Sequence, residues 1–397
     1  MAGPLADIRV LDLTWALSGP YGTMILADLG AEVIKVERPP AGDIARENGP
    51  FVQDVSSYFF SINRGKRSIT LNLKHPEGQR LLLELVKRVD VLTENFVPGT
   101  LERLGLGYAR LREVNPRLIY AATSGFGQTG PYRERPAMDV IVQGMSGLMS
   151  ITGPEGGPPV RVGTSIGDIV AGMFTAIGIL AALHERERSG EGQFVDVAML
   201  DSQLAILENA LVRYFVSGEI PRPLGTRHPI LTPFQAFPTK DGYIVLTLTG
   251  GGENIWALFC AAIGLEASMD DPRFQTNASR TEHHAELEAL VSDALRQRTT
   301  AEWLEVFQEL GIPCGPVNTI DQVVADPQVN ARCMIVPITH PRVGTIPVSG
   351  SPIKLSRTPP EVNRPAPDLG QDTDQVLREL LGLRDDQIAA LRACGAI

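Results

Sequence analysis

Through the first 125 residues, short apolar runs of strand length alternate with segments of helix length, and that alternation leaves few folds open. Ile8-Arg9-Val10-Leu11-Asp12-Leu13 reads as a strand, residues 21–29 as a helix that Gly30 stops, and Ala31-Glu32-Val33-Ile34-Lys35-Val36 as a second strand. Apolar strands joined through a helix imply a right-handed crossover and a parallel sheet. The pattern repeats: strand 68–73, helix 76–88 with Pro76 in its first turn, strand 89–92, helix 99–114, strand 118–123. The expected architecture is a doubly wound, Rossmann-like α/β large domain.

Beyond residue 136 the reading turns helical, with a long apolar helix over 168–188, a strand over 194–198 and a helix over 202–215. Pro221, Pro223, Pro229, Pro233 and Pro238 then crowd one stretch, a density that breaks helices and central strands. The expected division is a large domain over 1–217, a linker over 218–238 and a smaller α+β domain over 239–326. A connector and C-terminal return to the large domain follow over 327–397. In the smaller domain, Thr299 and Glu302 form a capping box ahead of a helix.

Charge narrows the partners. Asp and Glu outnumber Lys and Arg by 46 to 36, a net charge of −10, which disfavours a nucleic-acid binder but leaves room for a local cationic site. The N-terminal residues lack the order of a secretory leader, and the longest uncharged apolar run, 169–183, is short for a membrane span. Cys260, Cys314, Cys333 and Cys394 are scattered, with no CxxC pair. A cytoplasmic enzyme with no membrane, nucleic-acid or metal partner is expected.

Several chemistries are missing. The turn after Leu13 lacks G-x-G-x-x-G, although Glu37 sits where an NAD-type ribose acid would. There is no Walker loop, no G-x-S-x-G elbow and no H-E-x-x-H.

Other features remain. Gly167-Asp168 opens the apolar helix; Asp168 is either a helix N-cap or a carboxylate nucleophile at the rim of the α/β core. Arg38, Lys74 and Arg103 follow strands, where open α/β sheets bind ligands, and three cations there suit a polyphosphate. Asn95-Phe96-Val97-Pro98-Gly99 is a turn at such a strand end. Gly250, Gly251 and Gly252 would let backbone approach a ligand, and Asp139 is a candidate second carboxylate for Asp168.

Taken together, these segments resemble the class III CoA-transferase family, which includes formyl-CoA transferase and carnitine CoA-transferase. The resemblance rests on Val10-Leu11-Asp12-Leu13-Thr14 with Ser18-Gly19-Pro20, on the run from Gly30 to Glu37, and on Asn63-Arg64-Gly65-Lys66-Arg67-Ser68. It continues in Glu94-Asn95-Phe96-Val97-Pro98-Gly99, Ser124-Gly125-Phe126-Gly127-Gln128, Gly167-Asp168 and Gly311-Ile312-Pro313-Cys314-Gly315-Pro316. It implies an interlocked homodimer and a CoA-transferase in which Asp168 is the nucleophile, holding first the donor acyl group as a mixed anhydride and then CoA as an aspartyl thioester. Coenzyme A enters as substrate, with no permanently bound cofactor, and the second substrate is a carboxylic acid. The implied CoA contacts are Leu17, Ser18, Arg38, Leu71, Asn72, Leu73, Lys74, Asn95, Phe96, Val97 and Arg103.

This chain departs from parts of the family. Leu17 and Met138 stand where formyl-CoA transferases carry glutamine and tyrosine, which disfavours formyl or oxalyl substrates. Met138 also replaces the histidine of the 2-methylacyl-CoA racemases, and a thioether shuttles no proton. The expected function is CoA transfer between carboxylic acids, with succinate and another dicarboxylate as examples. The alternatives are a racemase of the same superfamily, a non-catalytic acyl-CoA-binding protein and an NAD(P)-dependent oxidoreductase.

Overall fold

The computed structural model describes residues 3–249 and 254–397. Six strands build one sheet: β1 Arg9–Asp12, β2 Glu32–Glu37, β3 Arg67–Thr70, β4 Val91–Glu94, β5 Ile119–Ser124 and β6 Phe194–Ala198. All pair in parallel, in the order β3-β2-β1-β4-β5-β6, so the connections diverge between β1 and β4.

Strand pleating sorts the apolar residues onto two faces. Val10, Val33, Val91, Ile119 and Ala121 meet residues of two helices, α1 (Ser18–Asp28) and a long one over Ile166–Ser189. Their neighbours Leu11, Ile34, Leu92, Tyr120 and Ala122 join the opposite core, with Leu81, Leu111, Val376 and Ile388. Because both faces are covered, the strands read as nearly continuous apolar runs, as parallel sheets do.

The other helices that matter here are α2 (Ser57–Asn63), α3 (Pro76–Val86), α4 (Tyr108–Val114), α5 (Asp139–Met145), α6 (the long helix, Ile166–Ser189), α7 (Met199–Ile206) and α8 (Glu208–Ser217). The helix expected over 99–114 is two pieces, Thr100–Arg103 and α4, because Gly105 sits at φ +72° in the turn between them. The helix expected over 202–215 is likewise divided, at the buried Leu207.

The chain divides into two compact units, one of residues 1–149, 161–219 and 327–397, the other of 150–160 and 220–326. In the second unit, Phe234–Pro238, Tyr243–Thr247 and Cys314–Pro316 form an antiparallel sheet over a core that includes Phe237, Phe259, Trp303 and Phe307. Part of the expected linker is therefore a strand, and its prolines are tolerated because Phe234–Pro238 is an edge strand. The Thr299–Glu302 capping box is present. In the first unit, residues after 327 return to the large sheet: the Asp372 amide donates to Ser68 O (2.8 Å) and the Asn72 amide to Ala396 O (2.8 Å).

By length and composition α6 is apolar enough to cross a bilayer. Here Ala176 and Ile179 pack with strand residues, while its N-terminal half lies against α1. Two glycines set that helix crossing. A Cβ on Gly172 would lie 2.5 Å from Ser18 O, and one on Gly22 2.7 Å from Gly172 O. Gly172→Ala should raise helix propensity by up to about 1 kcal/mol. The clash is with backbone, however, and overpacking of that kind costs about 1–3 kcal/mol. A lowered urea midpoint is therefore expected; an unchanged or raised midpoint would show that the helices can part without penalty.

Candidate active site

Where β1 and β4 diverge, the loops at their C-terminal ends meet, the usual ligand crevice of an open α/β sheet. The loop after β1 rests on buried charge. Asp12 is fully buried; its Oδ2 accepts from Lys66 Nζ (3.0 Å) and Thr23 Oγ1 (2.7 Å), and its Oδ1 from the Thr14 amide (2.9 Å). Burial alone would raise this carboxyl, but Lys66, Lys35 and the two threonine hydroxyls outweigh it and hold it well below the carboxylate range. Lys35, also fully buried, donates to Thr14 O (2.7 Å) and pairs with Asp43 (2.8 Å). Asp43 Oδ1 in turn accepts from the amide of Ala16, which sits at φ +59°. A non-glycine residue in that region needs such external support.

Asn95, at the end of β4, clamps the same loop. It accepts from the Trp15 amide (2.9 Å) and donates to Trp15 O (2.8 Å) and Ser18 Oγ (3.3 Å). The Phe96 ring lies 6.3 Å from that of Trp15. Leu17, Ser18, Asn95 and Phe96 thus lie together at the C-terminal ends of β1 and β4, with Val97 exposed beside them.

Arg38 follows β2, Lys74 follows β3 and Arg103 follows β4, so the three cations rise from one rim of the sheet. All three are exposed, and among the described residues none is in an ion pair. Arg103 donates to Thr100 Oγ1 (3.0 Å). Leu71 is a core residue and Asn72 binds Ala396 O and Gly395 O. Leu73 packs on the same core, leaving Lys74 as the charged group this segment offers to a ligand. Gly250, Gly251 and Gly252 lie outside the described residues.

Asp168 stands in the first turn of α6, but the N-cap is Ser165 and no side chain caps the helix there. The capping role weighed for Asp168 is thereby corrected: its position is inside the helix, three residues past the cap. Among the described residues its carboxylate has no hydrogen bond and no ion pair. Burial, together with the negative charge of Asp139, pushes it up to about 7. Asp139 opens α5; its Oδ1 accepts from the Gly167 amide (2.9 Å) and its Oδ2 from Gln143 Nε2 (2.8 Å). Met138, just before it, is 68% exposed. The Gly22–Gly172 crossing sets the start of α1, with Leu17 and Ser18, one helical turn from Asp168. Leu17, Tyr58 and Ile169 share one apolar cluster.

Comparison with known proteins shows the family of the chain. The profile of CoA-transferase family III matches residues 5–373. The chain belongs to that family. It is 42% identical over 396 residues to the mouse succinyl-CoA:glutarate CoA-transferase, covering 99% of this chain and 90% of that one. It is 43% identical to the Acetobacter aceti acetyl-CoA:oxalate CoA-transferase, covering 95% and 96%. A CaiB/BaiF family protein from Brucella suis superposes with a TM-score of 0.86 at 36% identity, covering 96% of this chain and all of that one.

Some of this transferase's site is invisible to motif reading. Tyr58 lies close enough to Asp168 that burial and then that carboxylate push its hydroxyl up to about 12. The buried network shows in the sequence only as charges inside apolar runs, Asp12 in Val10-Leu11-Asp12-Leu13 and Lys35 in Val33-Ile34-Lys35-Val36, and Asp43 leaves no such trace.

A buried carboxylate with no partner among the described residues weakens the fold. An ordinary aspartate titrates at 3.8 and Asp168 at about 7, so the fold binds the extra proton between those values and loses stability as pH rises through them. Asp168→Asn should therefore melt above the parent at about pH 8, with the difference closing toward pH 4. Identical melting temperatures at pH 8 would contradict this.

Proposed function

We propose that this transferase moves CoA from succinyl-CoA to a second dicarboxylic acid, with Asp168 as the covalent carrier. The observation that carries the reading is the half-buried Asp168 carboxylate, free of hydrogen bonds and ion pairs among the described residues and adjoining the crevice that holds Leu17 and Ser18. Such a group is a strong nucleophile because nothing in the site stabilises its charge. The named substrates of the relatives support the choice of acids: glutarate in mouse and oxalate in Acetobacter aceti.

Asp168 attacks the thioester carbonyl, the C–S bond breaks, and CoA leaves as the thiolate from a mixed anhydride. The thiolate then attacks the aspartyl carbonyl, the anhydride C–O bond breaks, and the donor acid departs as a carboxylate. The acceptor acid reverses the sequence and leaves with CoA. No proton moves, which suits a site with no histidine among the residues assembled here. Arg38, Lys74 and Arg103 face the phosphates of CoA, Leu17 and Ser18 its pantetheine end, and Asn95, Phe96 and Val97 the opposite wall.

A second copy of the chain covers one face of the large unit. Exposed apolar side chains occupy three helices, α5, α6 and α8, and the flank of α5: Met138, Ile141, Met145, Ile177, Phe215 and Val216. A face of that kind marks an interface. Light scattering should return about twice the 42.9 kDa of one chain; a monomer at micromolar concentration contradicts the homodimer.

Hydroxylamine added during turnover with succinyl-CoA should leave a hydroxamate on the peptide carrying Asp168, and Asp168→Ala should lose transfer by at least about a thousandfold. Transfer that survives in Asp168→Ala would overturn the mechanism. Exchange of the acyl α-hydrogen without transfer would favour the racemase instead.

A further inference from the structure

The first turn of α6 is held by a side chain that the aspartyl mechanism does not use. An exposed or weakly paired aspartate in such a turn is ordinarily stabilised by the free amides and the helix dipole. Here the Gly167 amide, next to the nucleophile, is already taken by Asp139 Oδ1 at 2.9 Å. Gly167 allows this closeness: a Cβ there would lie 3.0 Å from Asp139 Oδ1 and 2.2 Å from Gln203 Nε2. Gln143 fixes the second oxygen of Asp139, while its own Oε1 accepts from the Val162 amide (2.9 Å). Asp139 is 8% exposed, and its countercharge, Arg161, stays 3.9 Å away and half exposed.

Resting on the reading of Asp168 as the covalent carrier, we propose that Asp139 is a positioning residue whose fixed negative charge favours the uncharged covalent forms of Asp168 over its free carboxylate. When Asp168 becomes an anhydride or a thioester, it loses its charge, and the negative charge leaves with the departing thiolate or acid. Repulsion from Asp139 is relieved in that step, so the like-charged pair raises the energy of the resting enzyme and not of the intermediates. The amide that would have stabilised the resting carboxylate is withdrawn by the same group.

The other titratable groups around this turn are Tyr58 of α2, Tyr21 of α1 and Arg161 on the approach to α6. Asp201 of α7 acts on Asp196 of β6. Of all these, Asp139 is the charge that acts on Asp168, in the same direction as burial.

Asp139→Asn keeps an acceptor for the Gly167 amide and removes the charge. In the full-length enzyme, the acid limb of the kcat/KM profile should then move down by about one pH unit. The steady-state fraction trapped by hydroxylamine at Asp168, at pH 8, should fall by about tenfold, the same shift read as an equilibrium. Arg161→Ala should move the limb the other way, because it strips Asp139 of its countercharge. It tests the idea even if Asp139→Asn folds poorly. An unmoved limb and an unchanged trapped fraction in Asp139→Asn, or a downward shift in Arg161→Ala, overturns the proposal. Absence of any trapped adduct in the parent enzyme instead overturns the reading of Asp168 itself.

Discussion

Everything at the ligand rim depends on two ion pairs that never meet water. Asp12–Lys66 and Lys35–Asp43 are buried beneath the loop after β1 and supply its hydrogen-bond partners from below. Removing one member of such a pair leaves an uncompensated charge, a loss of about 3–5 kcal/mol. Well-packed apolar residues would stabilise the core as well or better. The charges instead define one conformation for a loop that contains a non-glycine residue at positive φ, with Asp43 on its one side and Asn95 on the other. The strained, ordered backbone is where Leu17 and Ser18 are presented.

The second half of the site is built on the opposite principle. The loop's charges are paired, whereas among the described residues the Asp168 carboxylate has no donor and a like-charged neighbour. One half is held by satisfied electrostatics, and the other keeps a carboxylate whose charge is unsatisfied. The two are joined by a helix crossing in which backbone touches backbone at Gly22 and Gly172.

Much of this was legible in the sequence, for physical reasons. Parallel strands covered on both faces leave uninterrupted apolar runs, so β1, β2, β5 and β6 could be found almost to the residue. Cations placed just after strands could be assigned to one rim, because in a parallel sheet every strand ends on the same side. Asp168 stood out because Gly167-Asp168 stands directly before the longest uncharged apolar run. What stayed hidden depends on contacts between distant segments. Local pattern cannot show that Asp139 takes the Gly167 amide 28 residues away. Nor can it show that Asp43 and Tyr58 come to face the loop after β1. Proline density misled about residues 218–238, because proline excludes central strands but not the edge position that Phe234–Pro238 occupies.

The Gly22–Gly172 crossing leaves no slack between the loop that precedes α1 and the turn that opens α6. A helix pair seated backbone to backbone cannot breathe by rotamer changes, as one seated on leucines can. The spacing between the Leu17–Ser18 segment and the first turn of α6 is then a constant of the scaffold. Diversification within such a scaffold has to proceed by exchanging side chains around the crossing, while the spacing itself is inherited unchanged.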